Sequence, residues 1–170
     1  MIDYATIRRY RCAINHPDGE HGMTHQLTRH DPRLGAWRTF LRAHAHVVRR
    51  LETELQAEQD LALSDYDVLV QLAGAEDRRL RMSELADRLL LSRSGATRLV
   101  DRLVGEGLVE RVSCESDRRG QWASLTDRGY ERLRRASPTH LRGVAEHFLD
   151  RFSTAELETL ERLLDRVAEG

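Results

Sequence analysis

Apolar positions along this chain recur with two different periods, and the changes of period divide it into segments. From Asp31 onward, Leu34, Trp37, Leu41, Ala45, Val48, Leu51 and Leu55 stand three or four apart, which predicts one long amphipathic helix ending near Asp60. Asp31 is a good N-cap, and Pro32 falls at the first helical position, where its missing N–H costs nothing. A shorter helix is predicted over 64–74, capped by Ser64 with Asp67 at the capping-box position and Val68, Leu69 and Leu72 inward. "GAEDRR", residues 74–79, reads as a polar loop. Ser83 opens a third helix with Leu85, Ala86 and Leu89 inward. After "LLS" (90–92) a fourth helix runs from Arg93 to about Glu106, where Gly105 and Gly107 stop it.

The period then drops to two. Val109–Ser113 and Gln121–Leu125 alternate as strands do, and a polar tip with Asp117, Arg118 and Arg119 lies between them. Thr126 caps another long helix reaching about Phe152, and Pro138 within it predicts a kink or break near Ala136–Ser137. "STAE" (153–156) is a capping box opening a last helix with Leu157, Leu160, Leu163, Leu164 and Val167 apolar. Residues 1–30 show no such periodicity.

Two short helices joined by a tight turn and followed by a β-hairpin make a winged helix-turn-helix. The expected fold is therefore mainly α, with a two-stranded wing and long helices before and after it. In the fourth helix Ala96, Leu99, Val100 and Leu103 share one arc, while Ser94, Arg98, Asp101 and Gly105 lie opposite, flanked by Thr97. Small polar side chains with arginine near a helix N-terminus suit a DNA major groove. The backbone can approach closely, arginine can fork onto guanine, and the terminal N–H groups can take a phosphate. The paired arginines of the hairpin tip have the reach for a neighbouring minor groove or for phosphates. Asp117 beside them is placed to hold a guanidinium in one pose.

Residues 81–129, "RMSELADRLLLSRSGATRLVDRLVGEGLVERVSCESDRRGQWASLTDRG", resemble the DNA-binding region of the MarR family of bacterial transcription regulators. The matching elements are "SELADRL", "TRLVDRL", "GLVER", the wing "DRR" and the closing "LTDRG". "FSTAELETLERLLDRV" is similar to the family's last helix, and the resemblance covers about residues 31–170. It implies a homodimer held by the segments 31–60 and 126–170, with a DNA-binding region over 64–125. It also implies double-stranded DNA as partner, bound at a pseudo-palindrome, and repression relieved by a small aromatic or anionic ligand or by oxidation. By matched position Arg119 is the wing arginine that enters the minor groove and Asp117 its orienter, while Ser94, Thr97 and Arg98 fall on recognition-helix contact positions. Arg93, Arg102 and Arg118 complete the expected DNA-contacting set. Gly95 departs from the family pattern and offers no side chain to a base. Trp37 and His44 on the first long helix are candidates to line a ligand cleft, with dimer core as the alternative for Trp37.

Composition adds exclusions. The chain has 170 residues and a formal net charge of -1, so no global field marks its partner. Local charge governs phosphate contact, and Arg93, Arg98 and Arg102 against Asp101 leave the fourth helix positive. All 27 basic residues are arginine, which fits a GC-rich genome. Cys12 and Cys114 stand far apart with no secretory signal or membrane-length apolar run, which fits a reducing cytoplasm. Each cysteine is a redox candidate, Cys114 at the wing edge. The histidines, including His16, His21, His25 and His30 near the start and His44 with His46, lack the ligand spacing of a metal site, so neither metal nor cofactor is expected. No nucleophile–base pair or phosphate loop supports an enzyme. The competing class is a winged helix that binds protein without DNA. Residues 1–30 form an N-terminal extension. Translation starting at Met23 would make 1–22 foreign to the functional protein, whereas "YATIRRYRCAI" (4–14) could instead be a dimer arm.

Overall fold

The computed structural model describes residues 31–114 and 117–168, with backbone only at 113, 114 and 117–120. The expectations for the N-terminal extension, Cys12 and its four histidines lie outside the described residues, as do the side chains of Cys114, Asp117, Arg118 and Arg119. In chain order the elements are α1 (Leu34–Gln59), α2 (Leu63–Ala73), a 3-10 turn (Glu76–Arg78), β1 (Arg79–Arg81), α3 (Met82–Arg88), α4 (Arg93–Gly105), β2 (Val109–Cys114), β3 (Asp117–Leu125), α5 (Asp127–His147), a second 3-10 turn (Leu149–Arg151) and α6 (Thr154–Ala168).

Contacts divide the chain into two units, 1–42 and 43–170. In the first, Asp31 receives the backbone N–H of Arg33 at 2.9 Å and pairs with its guanidinium, so it caps the turn that leads into α1. Trp37 and Phe40, one helical turn apart, stack with ring centroids 6.0 Å apart.

In the second unit the core draws on every helix up to α5. Leu55, Val68, Leu69, Leu72, Leu85, Val100 and Leu103 are fully buried and pack with Leu80, Leu108, Val109, Ala123 and Leu125 of the sheet and Leu133 and Ala136 of α5. The sheet has three strands in the order β1-β3-β2, both pairs antiparallel. The wing is the expected two-stranded hairpin β2–β3, and β1, which was not expected as a strand, adds a third strand to its sheet. "EDR" within "GAEDRR" forms the 3-10 turn, and its last arginine opens β1, "RLR" (79–81), which pairs Arg79 to Ser124 and Arg81 to Trp122. Only Leu80 of β1 is buried, so the strand offers a single apolar residue to a pattern search.

Three helix boundaries also differ from expectation. Ser64 lies inside α2, and Ala62 stands at the N-cap without a side-chain bond; Glu52 of α1 instead accepts the Leu63 N–H at 2.9 Å. Ser83 likewise sits inside α3, which begins after Arg81. α5 runs unbroken through Pro138 and ends at His147. Buried Ala136 and Thr139 flank the proline, and Ser137 Oγ donates to the Leu133 carbonyl at 2.9 Å, so packing on both sides of the lost bond holds the helix. Thr126 does cap α5, accepting the Gly129 N–H at 3.0 Å, and Glu156 accepts the Ser153 N–H at 2.8 Å at the start of α6.

The end of α1 is tied to α5 by polar bonds. Arg132 donates to the carbonyls of Gln59 and Asp60, satisfying groups left over at the helix end. Thr139 bridges Gln59 and Glu58, and Arg142 pairs with Glu58. One turn further, His147 Nε2 meets Glu54 Oε1 at 2.6 Å, beside Gly143, where a Cβ would fall 2.8 Å from Glu54 Oε2.

Candidate nucleic-acid interface

α4 is amphipathic in the strict sense that one side is finished. Ala96, Val100 and Leu103 are fully buried, while Arg93, Ser94, Thr97, Arg98, Asp101 and Arg102 are exposed. Its N-terminus is closed by Ser92, whose Oγ accepts the Gly95 N–H at 3.1 Å and lies 3.2 Å from Ser94 Oγ. A Cβ on Gly95 would stand 3.2 Å from Ser92 Oγ, a tight contact that the capping hydroxyl would have to accommodate. Thr97 Oγ1 donates to the Arg93 carbonyl at 2.8 Å, leaving its methyl and its acceptor lone pairs for a partner.

The turn from α3 into α4 runs through Leu90, which has φ 53 and is 83% exposed. An apolar side chain held in left-handed backbone with no packing is strained on both counts. The turn at the far end of α4 uses Gly107 at φ 70, where the backbone requires no side chain.

Two ion pairs from adjacent positions tie α4 to its neighbours. Arg102 pairs with Asp65 of α2, which is only 6% exposed. The guanidinium expected to meet DNA therefore has a partner within the chain, and a buried carboxylate depends on it. Asp101 pairs with Arg111 of β2 at 2.7 Å, and Arg111 also donates to Gln121 of β3 at 2.7 Å. Neither Asp65 nor Arg111 stood out in the sequence, because partners 37 and 10 residues away follow no helical or strand period.

The strands place the wing. Register is regular from Val109↔Leu125 to Ser113↔Gln121, then shifts between Ser113 and Cys114 before the Cys114↔Asp117 pair. Asp117, Arg118 and Arg119 thus open β3 at the outer end of the hairpin, as their sequence position predicted. Trp37 and His44 share α1, Trp37 in the first unit and His44 in the second, and both are exposed. Among the described residues no group of three or more His, Cys, Asp or Glu side chains is arranged to hold a metal. No described helix is long and apolar enough to cross a membrane.

The MarR family signature matches residues 59–120, from the end of α1 to the wing. The structure superposes on the crystal structure of AbsC, a MarR family transcriptional regulator from Streptomyces coelicolor, with a TM-score of 0.78 and 38% identity, covering 86% of this chain and 97% of AbsC. The chain belongs to the MarR family. Sco3205, a MarR family regulator of the same organism solved in complex with DNA, superposes with a TM-score of 0.77 and 38% identity, over 85% of this chain and 89% of that one. The Escherichia coli transcriptional repressor MprA is 34% identical over 95 residues, 56% of this chain. The chain spans about half of MprA's own length, 53%. The relatives named are transcriptional regulators, and the family signature spans the winged helix of this chain.

Proposed function

We propose that this MarR-family chain is a cytoplasmic, homodimeric repressor that reads a pseudo-palindromic operator. The observation that carries the reading is the division of α4: its apolar face packs on the chain's own core, with Ala96, Val100 and Leu103 buried and Leu99 partly so, while Arg93, Ser94, Thr97 and Arg98 project from its first two turns. In this reading those four side chains enter the major groove. Asp117 orients the wing arginines, Arg119 enters the adjacent minor groove and Arg118 contacts phosphate. Arg102 acts through Asp65 as an anchor of the helix.

The dimer part of the reading rests on α6. Its stripe of Leu157, Leu160, Leu163, Leu164 and Val167 has no buried member, and Leu163 and Val167 are 48% and 78% exposed. An isolated helix of 15 residues with such a stripe is marginal in water, so a second copy is its natural cover. The segments 31–60 and 126–170 then form the dimerisation part and 64–125 the DNA-binding part. Trp37, 56% exposed and stacked on Phe40, is a candidate to meet an aromatic anion that releases the operator, and His44 is a separate candidate.

Fluorescence anisotropy on fragments of the DNA upstream of the protein's own gene tests this. The expected result is saturable binding whose affinity falls steeply with salt, because guanidinium–phosphate contacts release counterions, and a footprint with two half-sites about 34 Å apart. Weak binding with no sequence preference and a flat salt dependence would favour a protein-binding winged helix. A panel of aromatic acids that neither releases DNA nor raises the melting temperature would remove Trp37 and His44 from a sensing role.

A further inference from the structure

A β-hairpin that projects from a domain is fixed at its base by strand pairing, but its angle to the neighbouring helix needs a separate constraint. Arg111 supplies one. Its Nε and Nη2 both donate to Asp101 Oδ1, at 3.1 and 2.7 Å, and its Nη1 donates to Gln121 Oε1 at 2.7 Å. One rigid, planar guanidinium thus spans α4, its own strand β2 and the partner strand β3. The bracket sits next to Ser113↔Gln121, the last regular pair before the register shift toward the tip. The Arg111 side chain is 26% exposed and that of Asp101 58%, so what the contact supplies is geometry, a fixed pose of the guanidinium, more than ion-pair energy.

We propose that Arg111, through Asp101, is a positioning residue that sets the angle between the wing and the recognition helix, and so aims Arg119 at its groove. This rests on the reading of α4 and the wing as the DNA-binding surface. A rival account has the opposite sign. Asp101 shares a helix face with Ser94 and Arg98, and a bare carboxylate there would repel phosphate, so Arg111 could act only by neutralising it. On that account Asp101→Asn improves DNA binding. As a positioning contact, the same change weakens binding, because an amide cannot hold the guanidinium as a carboxylate does.

The experiment measures operator affinity by anisotropy at one salt concentration for the wild type, Asp101→Asn, Arg111→Gln, Arg119→Ala, and the two pairings of Arg119→Ala with the others. Melting temperature and oligomeric state are recorded for each. Asp101→Asn and Arg111→Gln are each expected to weaken binding about tenfold. In the Arg119→Ala background each should cost less than about twofold, since a wing without its arginine gains nothing from being aimed. Asp101 is exposed at the helix surface, so Asp101→Asn carries the measurement if Arg111→Gln melts early. Unchanged or tighter binding by Asp101→Asn, or losses that multiply with that of Arg119→Ala, would overturn the assignment. A wild type that binds no operator overturns the DNA-binding reading itself, which separates the two failures.

Discussion

α4 and α6 are both amphipathic helices of similar length, yet one is complete within the chain and the other is not. Ala96, Val100 and Leu103 of α4 are fully buried, Leu99 packs partly buried beside them, and two ion pairs tie the helix to its neighbours. α6 buries nothing, although its apolar stripe is the more regular of the two. Amphipathicity therefore says that a face will be covered without saying by what. Where cover comes from within the chain, the opposite face is free to specialise in recognition. Where it does not, the apolar face is left for cover from outside the chain, which is the dimer proposed above.

The sharpest way to break this contrast is to place a carboxylate in each stripe. Val100→Asp should unfold the protein, at a cost of about 4 kcal/mol or more, because the charge lands in the core. Leu160→Asp with Leu164→Asp should keep the cooperative melt of the core while abolishing self-association and operator binding, seen by sedimentation and anisotropy. Loss of the core melt in the double variant would make α6 part of the chain's own fold. A wild type that sediments as a monomer at micromolar concentration would do the same.

On the polar side of α4 smaller effects are expected. Arg119→Ala and Arg98→Ala should each weaken operator binding by about 1–3 kcal/mol without moving the melting temperature. Arg98→Ala should also relax preference at one base pair per half-site, and a uniform loss across sequences would make it a phosphate contact. Next comes an effect read in pH. His140 stacks on buried Tyr66 with centroids 4.4 Å apart and has a buried Nδ1 without a partner, and burial holds its imidazole below the usual pKa of 6.5. The unfolded chain therefore takes up the proton first, and this group's share of stability, full above the unfolded pKa, is lost as pH falls below it. His140→Phe should flatten the decline in denaturant midpoint between roughly pH 7 and pH 5. The smallest change is Leu90→Gly, which relieves left-handed backbone and removes an exposed apolar side chain. It should raise stability by about 0.5 kcal/mol in denaturant unfolding, and a loss would show that Leu90 packs against something outside this chain.

Much of this organisation is legible in the sequence. Periods of 3.6 and 2 locate α1, α4, the hairpin and α6, and the caps Thr126 and Ser153 follow from local chemistry alone. Local signals fail where tertiary contact decides. β1 is a strand because β3 lies beside it, not because "RLR" resembles one. α2 is capped by Glu52, eleven residues upstream, in place of its own Ser64. α5 passes through Pro138 because buried residues on either side hold it. The exposed polar residues of α4 are readable as a set on one helical face, but the pairing of Arg102 with Asp65 is not. Exposure on a wheel says which way a side chain leaves the helix, and nothing of what meets it.

The junction between the wing and α5 has a mechanical consequence. Thr126 donates through its backbone N–H and its hydroxyl to the Leu108 carbonyl, at 3.1 and 3.0 Å. A Cβ on Gly129 would fall 2.0 Å from that same oxygen, so the first turn of α5 is pressed onto the root of β2 with no slack. The joint is a weld, not a hinge. α5 has 21 residues and is therefore about 31 Å long, a lever with its short arm at the wing root. Tilting that lever by about 6° displaces its far end by about 3 Å, close to the ~3.4 Å step between stacked base pairs. Run in reverse, a shift of one such step at the far end reaches the wing root as a small rotation, with no loose segment on the way to absorb it.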